Sequence, residues 1–182
     1  MLNSVCEVRF DSEPHVAVIK MSGGDHHGGF AKEEQNLRFF RANTRFPCPK
    51  PYWIDLSRTI VPYSCLVIEK LPGMPLCAVE LSEEERLLRD SDLAAVLAEL
   101  HGHKGLVYGD LDGTQCSDNW SEVMTRRLTR LRDRICDRIT PWILSNIDRA
   151  IDAVPTVFAK QGRPTLIHGD IWAGNILMEH RD

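Results

Sequence analysis

The stretch that decides the fold is "LIHGDIWAGNIL", residues 166–177. It holds His168, Asp170 and Asn175 in the order His-x-Asp-x-x-x-x-Asn, which is the spacing of loops that catalyse phosphoryl transfer. That reaction needs a carboxylate beside the attacking hydroxyl and a neutral oxygen ligand on the metal side of the same phosphate, both held by one tight turn. Gly169 and Gly174 supply the backbone freedom for such a turn. A surface turn without function is the alternative, because His, Asp and Asn are common turn residues.

Residues earlier in the chain suit the same chemistry. Phosphoryl transfer from ATP also uses a lysine on a strand to hold the phosphates and a glutamate on a helix to hold that lysine. "VAVIK" places Lys20 at the end of a β-prone run, and "FAKEEQNL" places Glu33 and Glu34 at the start of the next helix. Each feature is weak alone, since strand-end lysines and acidic helix starts are common surface features. Their order along the chain favours a kinase-like fold.

Composition argues against several other classes of function. The 182 residues are 43% hydrophobic and 26% charged, so the chain can bury a core. The formal charge of −4 gives no general reason to expect a nucleic-acid or membrane partner, and no run of about 18 apolar residues occurs. The six cysteines form no Cys-x-x-Cys pair, which is typical of reduced thiols. We expect a cytoplasmic protein, and the sequence indicates no oligomeric state.

The first part of the chain is predicted to be rich in strands. "SVCEVRF" and "HVAVIKM" predict a β-hairpin that ends at Lys20, and "FAKEEQNLRFFR" predicts a short helix with Phe30, Leu37 and Phe40 on one face. The prolines of "RFPCPKPYW" end this helix. "SCLVIEKLPG" then predicts a buried strand followed by a turn. Composition changes near residue 78, which is the predicted boundary between two lobes.

The second part is predicted to be mainly helical, so the fold class is α+β. Ser82 and Glu85 form a capping box for one long helix, and a second long helix begins near Trp120. Thr140 and Pro141 suit the start of a third helix, which is predicted to end before Pro155. "TLIHGD" and "NILME" are predicted strand fragments on either side of the loop.

These motifs resemble a known family. The "HGD....N" loop, the "VIEKLPG" segment and the "LAAVLAELHG" helix are similar to those of the aminoglycoside phosphotransferase and choline kinase family, to which fructosamine kinases are related. The resemblance extends from about residue 4 to residue 179. It implies a protein-kinase-like two-lobe fold: a partial nucleotide-binding lobe with a small antiparallel sheet at 1–78, a hinge near 69–73, and a helical lobe at 79–182 that carries the catalytic loop 166–177.

The same resemblance implies an activity and a set of site residues. The expected reaction moves the γ-phosphate of ATP, with Mg²⁺, to a hydroxyl of an aminoglycoside, an amino alcohol or a sugar-like molecule. Glu33 matches the lysine's partner better than Glu34, and His168 is expected to support the loop rather than react. The implied roles are Asp170 as catalytic base, Asn175 as magnesium ligand, Lys20 as phosphate ligand, and the backbone of Glu69, Lys70 and Leu71 as the adenine-binding hinge.

Three departures from the family pattern predict a chain truncated at both ends. The family places a second magnesium-binding Asp about a dozen residues after the Asn, and Asp182 lies too close to Asn175 to replace it. The family also has strands and a nucleotide-covering loop before the hairpin, whereas "SGGDHHGGF" follows Lys20 and suits a flexible connection. Finally, the family's helices after the loop, which build much of the acceptor site, are not in the sequence.

Other functions are left open by the sequence. The main alternative is a noncatalytic pseudokinase or fragment that binds nucleotide or a protein partner. A true protein kinase ranks lower, because Gly169 stands where protein kinases have Arg and no Ala-Pro-Glu motif is present. The acceptor is not indicated: Trp172 and the acidic run "ELSEEE" suit a cationic or sugar substrate, but a packed tryptophan and an acidic helix start explain them equally well.

Overall fold

The computed structural model describes residues 4–23 and 29–179. Most of the glycine-rich stretch "SGGDHHGG", and Asp182 at the end of the sequence, lie outside these residues. The chain forms two compact units, one made of residues 1–101 and 167–182 and the other of residues 102–166. The boundary between lobes that is predicted near residue 78 does not coincide with a limit of these two units, and it stays a prediction.

The first unit contains a four-stranded antiparallel sheet. Its strands are β1 Ser4–Arg9, β2 Val16–Ser22, β3 Pro51–Asp55 and β4 Ser64–Glu69, in the spatial order β1-β2-β4-β3. Strand β4 therefore lies between β2 and β3, and its residues from Ser64 to Ile68 are all buried, as expected for a strand covered on both faces. The predicted hairpin is confirmed, with Val5 of β1 opposite Lys20 of β2.

Helix α1, Gly29–Asn43, packs against this sheet and confirms the predicted short helix. Its Phe30 joins Leu66 and Ile68 in a cluster of buried side chains. The helix ends at Asn43, and both the backbone nitrogen and the hydroxyl of the next residue, Thr44, donate to the Phe40 oxygen, at 2.9 and 2.8 Å. This cap fixes the direction in which the chain leaves α1.

Strand β3 was not predicted, because the prolines around it indicate only the end of a helix. Pro51 is the first residue of β3, and β3 is an edge strand, so the missing proline N–H costs no ladder hydrogen bond. The register also shifts between Pro51 and Trp53, which is the kind of irregularity that a proline at a strand start permits.

The rest of the first unit is helix α2, Glu83–Gly102, and a two-stranded sheet. The predicted capping box is confirmed, since the Ser82 hydroxyl accepts from the Glu85 nitrogen at 3.3 Å and Glu85 Oε2 accepts from the Ser82 nitrogen at 2.8 Å. The small sheet pairs β5, Met74–Pro75, with β6, Leu177–Met178, in antiparallel register. This pairing joins the residues before α2 to those that follow Asn175.

The second unit is built on two helices, α3, Trp120–Ile135, and α4, Pro141–Val157, which contact each other. Both helix starts are as predicted. The predicted end of the third helix is wrong, because α4 continues through Pro155. A proline in the last turn removes only one helical hydrogen bond, and burial of Val154 holds this turn in place.

The prediction that "TLIHGD" forms a strand is also wrong. Thr165 makes only an isolated bridge to Lys104, and the Leu166 nitrogen donates to the His103 oxygen at 3.0 Å. These two contacts fix the segment without a ladder, so its apolar β-prone residues do not extend into a strand. Of the two predicted fragments, only "NILME" contains strand residues, in β6.

Two general features complete the description. No helix in the part of the chain described here is both long enough and apolar enough to cross a membrane. All six cysteines are free thiols, and burial raises the pKa of both Cys48 and Cys65.

Candidate active site

The loop between residues 166 and 177 brings Asp170 and Asn175 into direct contact. The Asn175 side-chain nitrogen donates to Asp170 Oδ2 at 2.7 Å and to the Asp170 backbone oxygen at 3.0 Å. The Asn175 backbone nitrogen donates to the Trp172 oxygen at 2.8 Å, which closes the turn between them. Gly169 enters this turn with a φ of +83°, a conformation that glycine adopts without a steric penalty.

These contacts determine the orientation of the Asn175 amide. A carboxylate and a backbone carbonyl only accept hydrogen bonds, so the atom that faces Asp170 must be the nitrogen Nδ2. The amide oxygen Oδ1 therefore points away from Asp170, and it accepts no hydrogen bond from any residue that the structure describes. Both side chains belong to exposed residues. The turn thus presents a carboxylate and a neutral amide oxygen to solvent.

His168 is half-buried and contacts the backbone of the loop rather than its exposed face. Its Nδ1 accepts a hydrogen bond from the Asp170 nitrogen at 3.3 Å. Its ring centroid lies 5.3 Å from that of Phe46 and 6.5 Å from that of Phe40. Burial lowers the pKa of His168, and the nearby Asp170 carboxylate opposes this shift only partly. The imidazole is therefore neutral near pH 7, with its proton on Nε2.

A second set of contacts holds the other side of the loop. The Cys77 nitrogen donates to the Ala173 oxygen at 3.1 Å, and the Leu76 nitrogen donates to the Ile176 oxygen at 2.8 Å. These bonds continue the pairing of β5 with β6. Gly73, which precedes β5, has a φ of +98° and approaches the backbone of Met178 closely. The loop is therefore attached to residues about 100 positions earlier in the chain.

The predicted phosphate lysine and its partner also meet. Lys20, on β2, contacts the Glu33 carboxylate on α1, and both side chains are about two-thirds buried, with 28% and 32% exposed. Glu34 instead contacts Arg38, one turn further along the helix. The structure thus distinguishes the two glutamates that the sequence presents side by side. The role of the pair in nucleotide binding stays a prediction.

The predicted hinge residues differ in how much of their backbone is available. The Glu69 nitrogen already donates to the Lys50 oxygen at 2.8 Å, and its carboxylate accepts from the Lys50 nitrogen at 2.9 Å. The Lys70 side chain contacts Glu7 on β1. Lys70 and Leu71 follow the last residue of β4. Since the Glu69 nitrogen is already engaged by Lys50, a nucleotide-binding role for the backbone of this segment falls to the groups beyond it.

No hydrogen bond or ion pair in the described part of the chain joins the Lys20–Glu33 pair to the Asp170–Asn175 pair. The same residues contain no group of three or more His, Cys, Asp or Glu side chains that could hold a metal ion. A metal at this turn would accordingly take its remaining ligands from the substrate, from water or from other residues.

Some residues that shape the site were missed by sequence analysis. Phe46 lies in the proline-rich stretch after α1, where only a helix end is predicted, and Phe40 is predicted only as part of an apolar helix face. Residues 74–77 follow the predicted turn of "SCLVIEKLPG", and no element was predicted for them. No local signal links any of them to the loop, because their contacts with it span about 100 residues or more of sequence.

Comparison with known proteins identifies the class. The sequence model of the phosphotransferase enzyme family matches residues 3–182. The chain therefore belongs to this family, as its motifs predicted. No protein with a curated functional description matches it.

Sixteen chains of solved structures are similar to this one. Among them is a protein of Ralstonia eutropha JMP134 that carries the provisional description of aminoglycoside phosphotransferase, with a TM-score of 0.64 and 15% sequence identity. The match covers 100% of this chain and 57% of that protein, so the chain spans a little over half the length of that structure. The likeness confirms the predicted α+β, kinase-like fold.

Proposed function

We propose that this chain carries the transfer site of an ATP-dependent kinase whose acceptor is a hydroxyl of a small molecule. Membership of the phosphotransferase enzyme family supports the reaction class. The observation that carries the proposal is the contact between Asp170 and Asn175, because it leaves a carboxylate and an amide oxygen side by side on one exposed turn.

Asp170 is the proposed general base. Only its Oδ2 is engaged by Asn175, so Oδ1 is free to accept the proton of an acceptor hydroxyl. As that proton moves to Asp170, the hydroxyl oxygen bonds to the γ-phosphorus and the bond from phosphorus to the bridging oxygen of ADP breaks. His168 holds the backbone of Asp170 in place and takes no proton in this scheme.

Asn175 is the proposed magnesium ligand, and its geometry fits that role. The ion prefers hard oxygen donors and is commonly bound through one or two protein groups together with phosphates and water. Asn175 offers an amide oxygen that is turned outward because its nitrogen is held by Asp170. A bound Mg²⁺ would neutralise the negative charge that develops on the transferred phosphate.

Lys20 and the hinge are the proposed nucleotide contacts. The Glu33 carboxylate orients the Lys20 ammonium group, which suits binding of phosphate oxygens. The backbone of the hinge, at Lys70 and Leu71 just after β4, is the proposed contact for adenine. The absence of nucleic-acid or membrane partners, and a cytoplasmic location, remain part of this proposal.

The test is phosphate transfer from ATP with Mg²⁺ across a panel of aminoglycosides, amino alcohols, ketosamines and sugars. Aminoglycosides come first, because a structurally similar protein is described as acting on them. Asp170→Ala should lower turnover by about 10²- to 10⁴-fold, the range typical of losing a general base. Asp118→Ala is the matched control, since Asp118 is also an exposed aspartate and lies in the other compact unit. Equal turnover in both variants would refute the role of Asp170.

The alternative is a noncatalytic protein that binds nucleotide. The described residues favour it in one respect, since the turn supplies a single carboxylate where a metal would sit. Titration calorimetry with ATP separates the two functions. Binding that Lys20→Ala abolishes, in a folded chain that transfers no phosphate to any acceptor of the panel, would establish the alternative.

A further inference from the structure

Helix α1 carries Glu33 and Phe40 on the same face. Glu33 and Phe40 are seven residues apart, which in a helix means nearly the same direction and a separation of about two turns. Glu33 contacts Lys20, whereas the Phe40 ring lies beside the His168 ring. One rigid element therefore contacts both the proposed phosphate ligand and the loop that carries Asp170.

Three rings form the contact at the loop end of α1. Phe46 is 5.7 Å from Phe40 and 5.3 Å from His168, centroid to centroid, and Phe40 is 6.5 Å from His168. These distances fall within the range in which ring pairs attract each other. We call Phe40, Phe46 and His168 the aromatic link.

The position of Phe46 is itself fixed by the end of α1. The Phe46 nitrogen donates to the Thr44 hydroxyl at 3.1 Å, and that hydroxyl donates to the Phe40 oxygen at 2.8 Å. The Arg45 nitrogen donates to Glu99 Oε1 at 3.2 Å, which ties the same segment to α2. Phe46 thus meets His168 as part of a hydrogen-bonded structure rather than as a mobile loop residue.

The aromatic link is connected through His168 to Asp170 and Asn175. The His168 Nδ1 accepts from the Asp170 nitrogen, and the Asp170 carboxylate and carbonyl accept from Asn175. A small rotation of the His168 ring would move its Nδ1 away from the Asp170 nitrogen and release the backbone that sets the direction of the carboxylate. Displacements of about 1 Å at a reacting group are enough to cost about 10²-fold in rate.

We propose that Phe40 and Phe46 are positioning residues of the proposed transfer site, and that they act through His168 to hold Asp170 in its catalytic orientation. The competing explanation is that the rings only stabilise the fold. The two differ in what a variant changes: a positioning role alters the Asp170 backbone and kcat through His168, whereas a purely structural role alters the free energy of unfolding alone. The kinetic part of this inference rests on the proposed function, but the structural part does not.

The first experiment needs no activity. The ¹⁵N-labelled full chain is compared with Phe46→Ala by amide resonances and amide hydrogen exchange. The expected result is a shift of the Asp170 amide and faster exchange at that position. Phe158→Ala is the matched control, because Phe158 is a half-buried ring packed edge-on against Trp120 in the other unit. An Asp170 amide that is unchanged in Phe46→Ala overturns the proposal, whether or not the chain transfers phosphate.

The second experiment is kinetic and uses an acceptor that the wild-type chain phosphorylates. Phe46→Ala should lower kcat by about 10- to 100-fold, while KM for ATP changes by less than about threefold, because the lost interaction orients the base and does not touch nucleotide. Phe158→Ala should leave both constants near those of the wild type. An equal loss of kcat in both variants overturns the proposal.

A double-variant cycle tests whether Phe46 acts through His168. His168→Phe keeps a ring in the aromatic link but removes the acceptor for the Asp170 nitrogen, so adding Phe46→Ala to it should cause little further loss of kcat. Losses that multiply in the double variant contradict the inference. If Phe46→Ala does not fold, Phe46→Leu keeps the apolar volume without the ring and takes its place in all three comparisons. If the wild-type chain transfers no phosphate, the proposed function fails, while the amide measurement still decides whether the link exists.

Discussion

Replacing Gly73 by alanine should loosen the attachment of the loop to β5. An ideal Cβ at this position would lie 2.3 Å from the Met178 oxygen, 2.6 Å from the Met178 carbonyl carbon and 3.0 Å from the Glu179 nitrogen. These are backbone atoms, so no side-chain rotation relieves the clash. The φ of +98° is also strained for any residue that has a Cβ. We therefore expect β5 and β6 to separate.

The cost has two parts. Strain at a residue held in a sparsely populated backbone region amounts to about 1–3 kcal/mol. Separation of the strands would also break the hydrogen bonds from Leu76 to Ile176 and from Cys77 to Ala173, at about 0.5–1.5 kcal/mol each. The free energy of unfolding should therefore fall by about 2–6 kcal/mol.

The assay is urea unfolding at neutral pH, with amide exchange at Leu76 and Cys77 as a local measurement. Gly102→Ala is the matched control: Gly102 ends α2, its backbone needs no positive φ, and an added Cβ there meets no atom within 4 Å. That control should be neutral, or more stable by about 0.5–1 kcal/mol. If both variants unfold at the same urea concentration, or if Gly73→Ala leaves amide exchange at Leu76 and Cys77 unchanged, the argument from the close backbone approach is wrong.

Three further predictions concern the rest of the chain. Burial holds the pKa of His168 below its usual value of about 6.5. The wild type should therefore lose stability as pH falls from that value through the lower pKa of the folded state. In urea unfolding between pH 7 and pH 5, His168→Asn should make stability less dependent on pH. Leu66→Ala, at a fully buried site on β4, should cost about 2–5 kcal/mol in the same measurement. Arg132 holds the pKa of Asp148 below its usual value of about 3.9 through two hydrogen bonds. The stabilisation by this pair is therefore fully present above that value and is lost as pH falls through the lower folded pKa. Asp148→Asn should lower the melting temperature at pH 7, and by progressively less as pH falls below about 4.

The elements that the sequence predicts best are those with local signals at their ends. The helix that follows Ser82 begins with a capping box, and the one that follows Thr140 begins with a proline, so both starts are predicted correctly. The hairpin of β1 and β2 is predicted because both strands are β-prone and a turn separates them. In each case the information lies within a few neighbouring residues.

The elements that the sequence predicts poorly depend on distant partners. Pro51 indicates the end of a helix when only its neighbours are considered, but it can start a strand because β3 pairs on one side only. Pro155 indicates the end of a helix, yet burial of Val154 carries α4 past it. "TLIHGD" has the composition of a strand, but among residues 4–23 and 29–179 it finds a bridge partner only at Thr165. Tertiary contacts outweigh local preference at all three positions.

The candidate site shows the same difference between local signals and contacts with distant residues. Asp170 and Asn175 are close in sequence, so their spacing alone predicts that one turn brings them together. The choice between Glu33 and Glu34 is not determined by spacing, because adjacent helix residues differ by 100° in direction. Only the packing of α1 against the sheet shows which of the two reaches Lys20. Sequence therefore predicted the set of candidate groups, and packing selected among them.

The loop is held at two places that differ in kind. On the His168 side it is attached through ring contacts to Phe46. Such contacts restrict the tilt of the His168 ring but allow it to slide along the Phe46 ring. On the Ala173 side it is attached through backbone hydrogen bonds to residues 76 and 77, which restrict distance and direction together. Because Asn175 contacts Asp170 by its side chain and Trp172 by its backbone, motion at either attachment reaches the carboxylate through the turn between them. The loop motif thus specifies which groups meet, and residues more than 90 positions away in sequence specify how firmly they are held.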